Sequence, residues 1–173
     1  MVKVDIISGF LGAGKTTLIK HLLKSVYAGE NVVLIENEFG EIGIDGGFLE
    51  AAGIEVREMN SGCICCSLQG DFEESLKMVV ETYHPDRIVI EPSGVGKLSD
   101  VLKAIEKVED LQVNSACTVV DAARAKVYAR NFGEFFNNQV QDARTIIVSK
   151  VEKLSDEKII ETYNLLKGKN PDA

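Results

Sequence analysis

The run Gly9-Phe10-Leu11-Gly12-Ala13-Gly14-Lys15-Thr16 constrains this chain more than any other stretch. It fills the pattern G-x-x-x-x-G-K-[ST]. An apolar strand pattern, Val2 to Ser8, precedes it, and an amphipathic helix pattern, Lys15 to Val26, follows it. Gly9, Gly12 and Gly14, with the small Ala13 between them, let the backbone curl so that successive N–H groups converge on phosphate oxygens. The helix that follows adds the partial positive charge of its N-terminus. Lys15 is expected to neutralise the β- and γ-phosphates and so serve catalysis. The Thr16 hydroxyl is expected to ligate Mg²⁺, with Thr17 beside it in the nucleotide-binding set.

A strand–loop–helix start points to a fold class, and the rest of the chain agrees. Strand patterns at Val32 to Ile35, Ile54 to Met59, Arg87 to Ile90, Ala116 to Val120 and Thr145 to Val148 alternate with helical stretches. The clearest helices are near Gln69 to Thr82, Leu98 to Val108 and Asp156 to Leu166, with two weaker ones before Thr145. Strands joined by helices pair in parallel and need both faces covered. The expected architecture is therefore α/β, a P-loop NTPase three-layer sandwich with a mostly parallel central sheet. One domain of 173 residues suffices for it. Ligands in such sheets collect at the carboxyl ends of the strands, and the remaining motifs lie at such ends.

A net charge of -8 argues against duplex nucleic acid or an anionic membrane as a partner held by bulk electrostatics. Anionic ligands must instead be caught by local geometry. No apolar run approaches the ~20 residues of a membrane span. Met1-Val2-Lys3-Val4-Asp5 runs straight into a strand, without a signal-peptide pattern. Three of the four cysteines are packed into Cys63-Ile64-Cys65-Cys66, a spacing that suits a metal or redox site in a reducing compartment. The cytoplasm is the expected location.

Glu91-Pro92-Ser93-Gly94 ends a strand. An acid at that place in a P-loop protein holds magnesium, usually through water, and a glycine shortly after it offers its N–H to the γ-phosphate. Glu91 and Gly94 fit these roles. Val148-Ser149-Lys150-Val151-Glu152 stands where GTPases carry Asn-Lys-x-Asp. Glu152 would accept the two N–H donors of guanine, Lys150 would pack over the ring, and Ser149 replaces the Asn. A carboxylate prefers guanine because adenine presents a lone pair at N1. Glu is one methylene too long and Ser lacks an amide, so the preference is weakened and ATP stays open.

Glu36-Asn37-Glu38-Phe39-Gly40-Glu41-Ile42-Gly43-Ile44-Asp45 follows the second strand, where P-loop switches keep the segment that senses the γ-phosphate. Further on, Cys63 and Cys65 point the same way on an extended backbone, which suits two thiolates on one ion. Cys66 joins them only if the chain turns. Thiolates select Zn²⁺, Cu⁺, Co²⁺ or Ni²⁺, and a carboxylate from Glu36 or Glu41 would complete the shell. The alternatives are a redox disulfide, strained between adjacent cysteines, or small packing residues. Glu38 and Glu91 are the candidates for positioning the attacking water. Cys117 lies in an apolar strand and reads as core. His21 and His84 read as surface or capping residues.

Taken together, the phosphate loop with Thr17, the Glu36–Glu41 run, Gly62-Cys63-Ile64-Cys65-Cys66 and Glu91-Pro92-Ser93-Gly94 resemble the CobW-like family of metal-chaperone GTPases over essentially the whole chain. The resemblance implies a SIMIBI-type GTPase domain that binds GTP and Mg²⁺, and a transition metal, Zn²⁺ or Co²⁺ foremost, at the cysteines. It implies delivery of that metal to a client metalloenzyme or cofactor-synthesis protein, while a nucleotide-dependent homodimer is left open by the sequence. Members of the family usually continue into a final strand, a second guanine-contacting loop and a C-terminal domain. This chain is therefore expected to be the GTPase domain, residues 1–173, cut before its last strand. Two other readings stay open. One is a small-molecule kinase using Arg124 and Arg130 in a lid. The other is a metal- or redox-sensing module indifferent to nucleotide.

Overall fold

The computed structural model describes residues 1–36 and 69–173. Asn37 to Leu68 lie outside the described residues, and with them Glu38, Glu41, Cys63, Cys65, Cys66 and the expected strand Ile54 to Met59.

Among the described residues, five strands form the sheet: β1 Val2–Ser8, β2 Val32–Glu36, β3 Arg87–Glu91, β4 Leu111–Asp121 and β5 Thr145–Ser149. Their order is β2-β3-β1-β4-β5, and every pairing is parallel. The helices are α1 Lys15–Lys24, α2 Gln69–Tyr83, α3 Leu98–Glu106, α4 Ala125–Asn131, α5 Gly133–Gln141 and α6 Asp156–Lys169.

Alternation along the strands sorts the core into two faces. Ile7, Val32, Leu34, Val89, Cys117 and Val119 pack against Ile19 and Leu23 of α1. Val4, Ile6, Val33, Ile35, Ile88 and Ile90 pack against α2 and α3, through Leu76, Val79, Val101 and Ile105 among others. On that second face Val120 of β4 meets Phe136 and Val140 of α5 and Leu166 of α6. Strands buried on both sides explain the continuous apolar runs in the sequence. As expected of a core thiol, Cys117 is buried, and burial pushes its pKa up to about 11.

Element ends shift by one to a few residues from the sequence expectation, and two of the shifts have a plain cause. First, α1 stops at Lys24, where the Ser25 N–H donates to the carbonyls of His21 and Leu22. The chain turns there, so Val26 faces solvent and Tyr27 is buried in its place. Second, β4 starts at Leu111, five residues before Ala116. Its polar opening is explained by a shift in register between Val4 and Asp5 of β1, which inserts Asn114 as an extra residue. Asn114 and Ser115 then both donate to the buried Asp5 carboxylate, each at 2.7 Å.

Helix α6 carries Asp156 and Glu157 in its first turn and Lys167 and Lys169 in its last, matching its dipole. Beyond it the Asn170 amide donates to the carbonyls of Val140 and Ala143, both at 2.8 Å, and ties the helix end to α5.

Candidate functional site

With strand order β2-β3-β1-β4-β5, the chain leaves β1 toward one side of the sheet and later returns to the other. A crevice opens between the carboxyl ends of β1 and β3, the place where α/β sheets bind ligands. The glycine-rich loop leaves β1 on one side of it, and Glu91-Pro92-Ser93-Gly94 leaves β3 on the other.

Sterics hold the loop in its course. Gly9 has φ 138°, and a Cβ there would lie 2.3 Å from the Val119 carbonyl oxygen of β4. Only glycine fits so close an approach in that backbone region. Gly12 and Gly14 also have positive φ, 71° and 108°. Phe10 points inward from the loop and stacks on Tyr128 of α4 at 4.4 Å between ring centroids, with Phe132 and Phe136 around it. The Ser149 hydroxyl at the end of β5 donates to the Ala13 carbonyl at 2.6 Å. The loop is thus anchored from β4, α4 and β5 together.

Gly14 is the N-cap of α1 and brings no side-chain cap, and no acid stands in the first turn. The first N–H groups of that helix therefore face the crevice with their partial positive charge uncancelled by a carboxylate of the helix itself. Lys15 is only 5% exposed. Its ammonium donates to the Phe10 carbonyl at 3.4 Å and lies 3.6 Å from a Glu91 carboxylate oxygen. The other Glu91 oxygen accepts from the Thr16 hydroxyl at 3.4 Å. A hydroxyl and a carboxylate side by side are the oxygen donors that a hard Mg²⁺ takes. These contacts are long for hydrogen bonds. Two more hydroxyls complete the picture. Ser8 Oγ, at the end of β1, and Ser93 Oγ, after Glu91, are buried with no hydrogen-bond partner among the described residues. Buried hydroxyls are seldom left so. The residues present fit a phosphate chain with its magnesium.

Gly94 comes close to the loop, since a Cβ on it would lie 2.7 Å from the Leu11 nitrogen. Glu36, at the end of β2, stands in register beside Glu91, so two carboxylates occupy adjacent strand ends. The structure therefore brings together Gly9, Gly12, Ala13, Gly14, Lys15, Thr16, Glu91 and Gly94, with Glu36 next to them and Ser149 beneath the loop. Thr17 is on α1 with its side chain exposed, and Glu152 is exposed beyond β5. Lys150, at φ 58°, reaches Asp121 of β4 at 3.1 Å.

Asp121 was not among the sequence candidates. It is buried at the end of β4, accepts the Ala123 N–H at 2.9 Å and pairs with Lys150. An acid closing an apolar strand was the signal that singled out Glu91, and it would have found Asp121 too. Arg124 lies at 3.9 Å from Asp121 and donates to the Tyr128 hydroxyl, while Arg130 is exposed on α4.

Residues 3–172 match a family model described as CobW/HypB/UreG, nucleotide-binding domain. The zinc chaperone YeiR of Escherichia coli (strain K12) is 32% identical over 160 residues, covering 91% of this chain and 49% of its own. The zinc chaperone CobW of Sinorhizobium sp is also 32% identical, over 170 residues, covering 91% of this chain and 48% of its own. The chain thus spans about half the length of the curated relatives it matches. Among solved structures, the Zn(II)-bound YjiA GTPase from E. coli superposes with TM-score 0.68 at 23% identity, over 96% of this chain and 54% of that one. Hydrogenase maturation factor HypB from Archaeoglobus fulgidus does so with TM-score 0.64 at 19% identity, over 100% and 78%. Both share the fold of this chain.

Proposed function

The chain belongs to the CobW/HypB/UreG nucleotide-binding-domain family, and from that premise we propose that it binds Mg²⁺–GTP at the phosphate loop, hydrolyses it, and couples the cycle to holding and passing on a thiophilic metal ion. The observation that carries this reading is the Lys15–Glu91–Thr16 cluster at the mouth of the β1–β3 crevice, with Glu36 one strand away.

Lys15 and the loop N–H groups neutralise the phosphate chain, and Thr16 and Glu91 hold the magnesium. The magnesium that Thr16 and Glu91 would hold would supply positive charge to offset what develops on the phosphate oxygens during transfer. The N–H of Gly94 contacts the γ-phosphate. Glu38 or Glu91 orients the attacking water, and turnover is slow in the absence of a preorganised group for that step. At the base, Glu152 selects guanine over adenine and Lys150 covers the ring. Ser149 gives its hydroxyl to the Ala13 carbonyl, so the base loses one of the contacts an Asn would give. GTP is preferred, by a narrower margin than a full Asn-Lys-x-Asp motif provides.

The metal cargo is held by Cys63 and Cys65, with Cys66 and a carboxylate of Glu36 or Glu41. Zinc is the favoured ion, in keeping with relatives named zinc chaperones. Glu36 sits beside the magnesium carboxylate Glu91, and in sequence it opens the stretch that contains the cysteines, so one segment would serve both the γ-phosphate and the metal. Linkage then requires GTP to tighten metal binding and metal to tighten GTP by the same factor. Hydrolysis releases the segment and lets the ion pass to a client metalloenzyme or cofactor-synthesis protein, with a nucleotide-dependent homodimer as the working form.

The test is a Zn²⁺ titration of the wild type and of Cys65→Ser, with and without a non-hydrolysable GTP analogue. The wild type is expected to bind zinc more tightly with the analogue, and Cys65→Ser to lose most of both the affinity and the gain. Equal affinity in all four arms refutes the coupling.

A further inference from the structure

We propose that Gln139 of α5 is a positioning residue that aims the Gly94 N–H at the γ-phosphate. The inference rests on the phosphate-loop reading above and adds to it a residue remote from the nucleotide.

Gln139 is polar, yet its side chain is 1% exposed. Its carboxamide nitrogen donates to the Gly94 carbonyl at 3.1 Å and to the Gly96 carbonyl at 2.9 Å. Both partners are acceptors, so the NH₂ end must face them, and both of its hydrogens are used. The Gly96 N–H in turn donates to the Ser93 carbonyl at 2.8 Å. That carbonyl belongs to the same planar peptide unit as the Gly94 N–H, and in a trans unit the two point in opposite directions. Fixing the Ser93 carbonyl toward Gly96 therefore fixes the Gly94 N–H away from it. Gln139 holds the Gly94 and Gly96 carbonyls of this turn, and the turn sets the direction of the donor that would meet the γ-phosphate.

The support extends along one face of α5. Asn138 accepts the Ser99 N–H at 3.2 Å and donates to the Ser99 hydroxyl at 2.9 Å. Glu134 pairs with Lys97 at 2.6 Å, an exposed contact worth little by itself. Gln139 is itself fixed from below, because its own carbonyl accepts the Thr118 hydroxyl of β4 at 2.6 Å. Phe136, one turn earlier, touches Phe10 of the phosphate loop. The same helix thus holds the loop that grips the phosphates and the turn that would detect the last of them.

A donor aimed only at the γ-phosphate contributes to triphosphate binding and not to diphosphate binding. Gln139→Met keeps the side-chain length and removes both donors. In the presence of Mg²⁺, the wild type, Gln139→Met and Thr118→Val are each titrated with GDP and with GTPγS. For Gln139→Met the GTPγS affinity is expected to fall about tenfold, the loss of one hydrogen bond to a charged group, with GDP affinity unchanged. Thr118→Val, which frees the backbone of Gln139 from below, is expected to shift the same ratio in the same direction by less, and it decides the matter if Gln139→Met does not fold. A parallel loss for both nucleotides, or no change in the ratio, overturns the positioning role while leaving the phosphate-loop reading intact. A wild type that binds neither nucleotide removes that reading, and this inference with it.

Discussion

Strands β1 and β3 carry a buried charged cluster at each end, and the two clusters are built in opposite ways. Toward the amino side, Asp5, midway along β1, is fully buried and accepts from Asn114, Ser115 and Arg87. Arg87 opens β3 and also pairs with both oxygens of Glu30, through Nε at 2.5 Å and Nη2 at 3.1 Å, and lies 4.2 Å from the centre of the Tyr27 ring. At the carboxyl ends, the contacts of Glu91 with Lys15 and Thr16 are 3.6 and 3.4 Å long, and the Ser8 and Ser93 hydroxyls lack partners among the described residues. The first cluster is saturated and short-ranged, and it serves the fold. The second is held in place from outside, by glycine packing and by α4, α5 and β5, and two hydroxyls beside it lack partners among the described residues. Buried charge in short, complete hydrogen bonds marks architecture, and long contacts beside unpartnered buried hydroxyls mark a place for a ligand.

The contrast breaks most sharply at Arg87. Arg87→Met leaves Asp5 buried with its cation gone, and is expected to cost about 3–5 kcal/mol, read as a lowered urea midpoint at constant slope. Nucleotide affinity of the remaining folded fraction should be unchanged. Lys15→Met is the mirror case. GTP turnover should fall about 10²–10³-fold through loss of one charged donor, with a urea midpoint near that of the wild type. A Lys15→Met protein as unstable as Arg87→Met would erase the distinction between the two ends. Ser149→Ala lies between them, since its hydroxyl braces the phosphate loop at Ala13. It is expected to lose about 1 kcal/mol of stability, with both GDP and GTP affinities lowered together, whereas a role at the base would instead change the GTP-to-ATP ratio.

The smallest expected effect concerns acid. Burial raises the Asp5 carboxyl pKa, but hydrogen bonds from Asn114, Ser115, Arg87 and Tyr27 outweigh it and hold the group below its ordinary value. Glu30 is lowered as well, chiefly by its hydrogen bond to Arg87. A group depressed on folding stabilises the native state above its unfolded pKa, and the gain is lost as pH falls through the folded one. Stability should therefore be flat near neutrality and decline below about pH 4, the ordinary carboxylate range. Asp5→Asn should shallow that decline in a pH series of urea midpoints.

The two ends also differ in how far the sequence announces them. The phosphate loop is local: glycines, lysine and threonine within eight consecutive positions, between a strand and a helix, leave one conformation open to them. Glu91 was legible because an acid closed an apolar strand, and the five strands were legible because two-sided burial leaves unbroken apolar runs. The saturated cluster was not legible. Asp5 meets Arg87, Asn114 and Ser115 across 82, 109 and 110 positions of sequence, and no local pattern marks such a meeting. Gln139 was hidden for the same reason. Within Asn137-Asn138-Gln139 it reads as one more polar residue of a weak helix, and only the fold brings it beneath Gly94 and Gly96.

The close approach of Gly9 to the Val119 carbonyl has a consequence for which changes this loop tolerates. A side chain at position 9 would have to displace β4, so substitution there is expected to disrupt the loop. Leu11, at the tip and 71% exposed, is under no such restriction. Substitutions at position 11 are thus expected to alter what the tip of the loop meets without disturbing its course against the sheet.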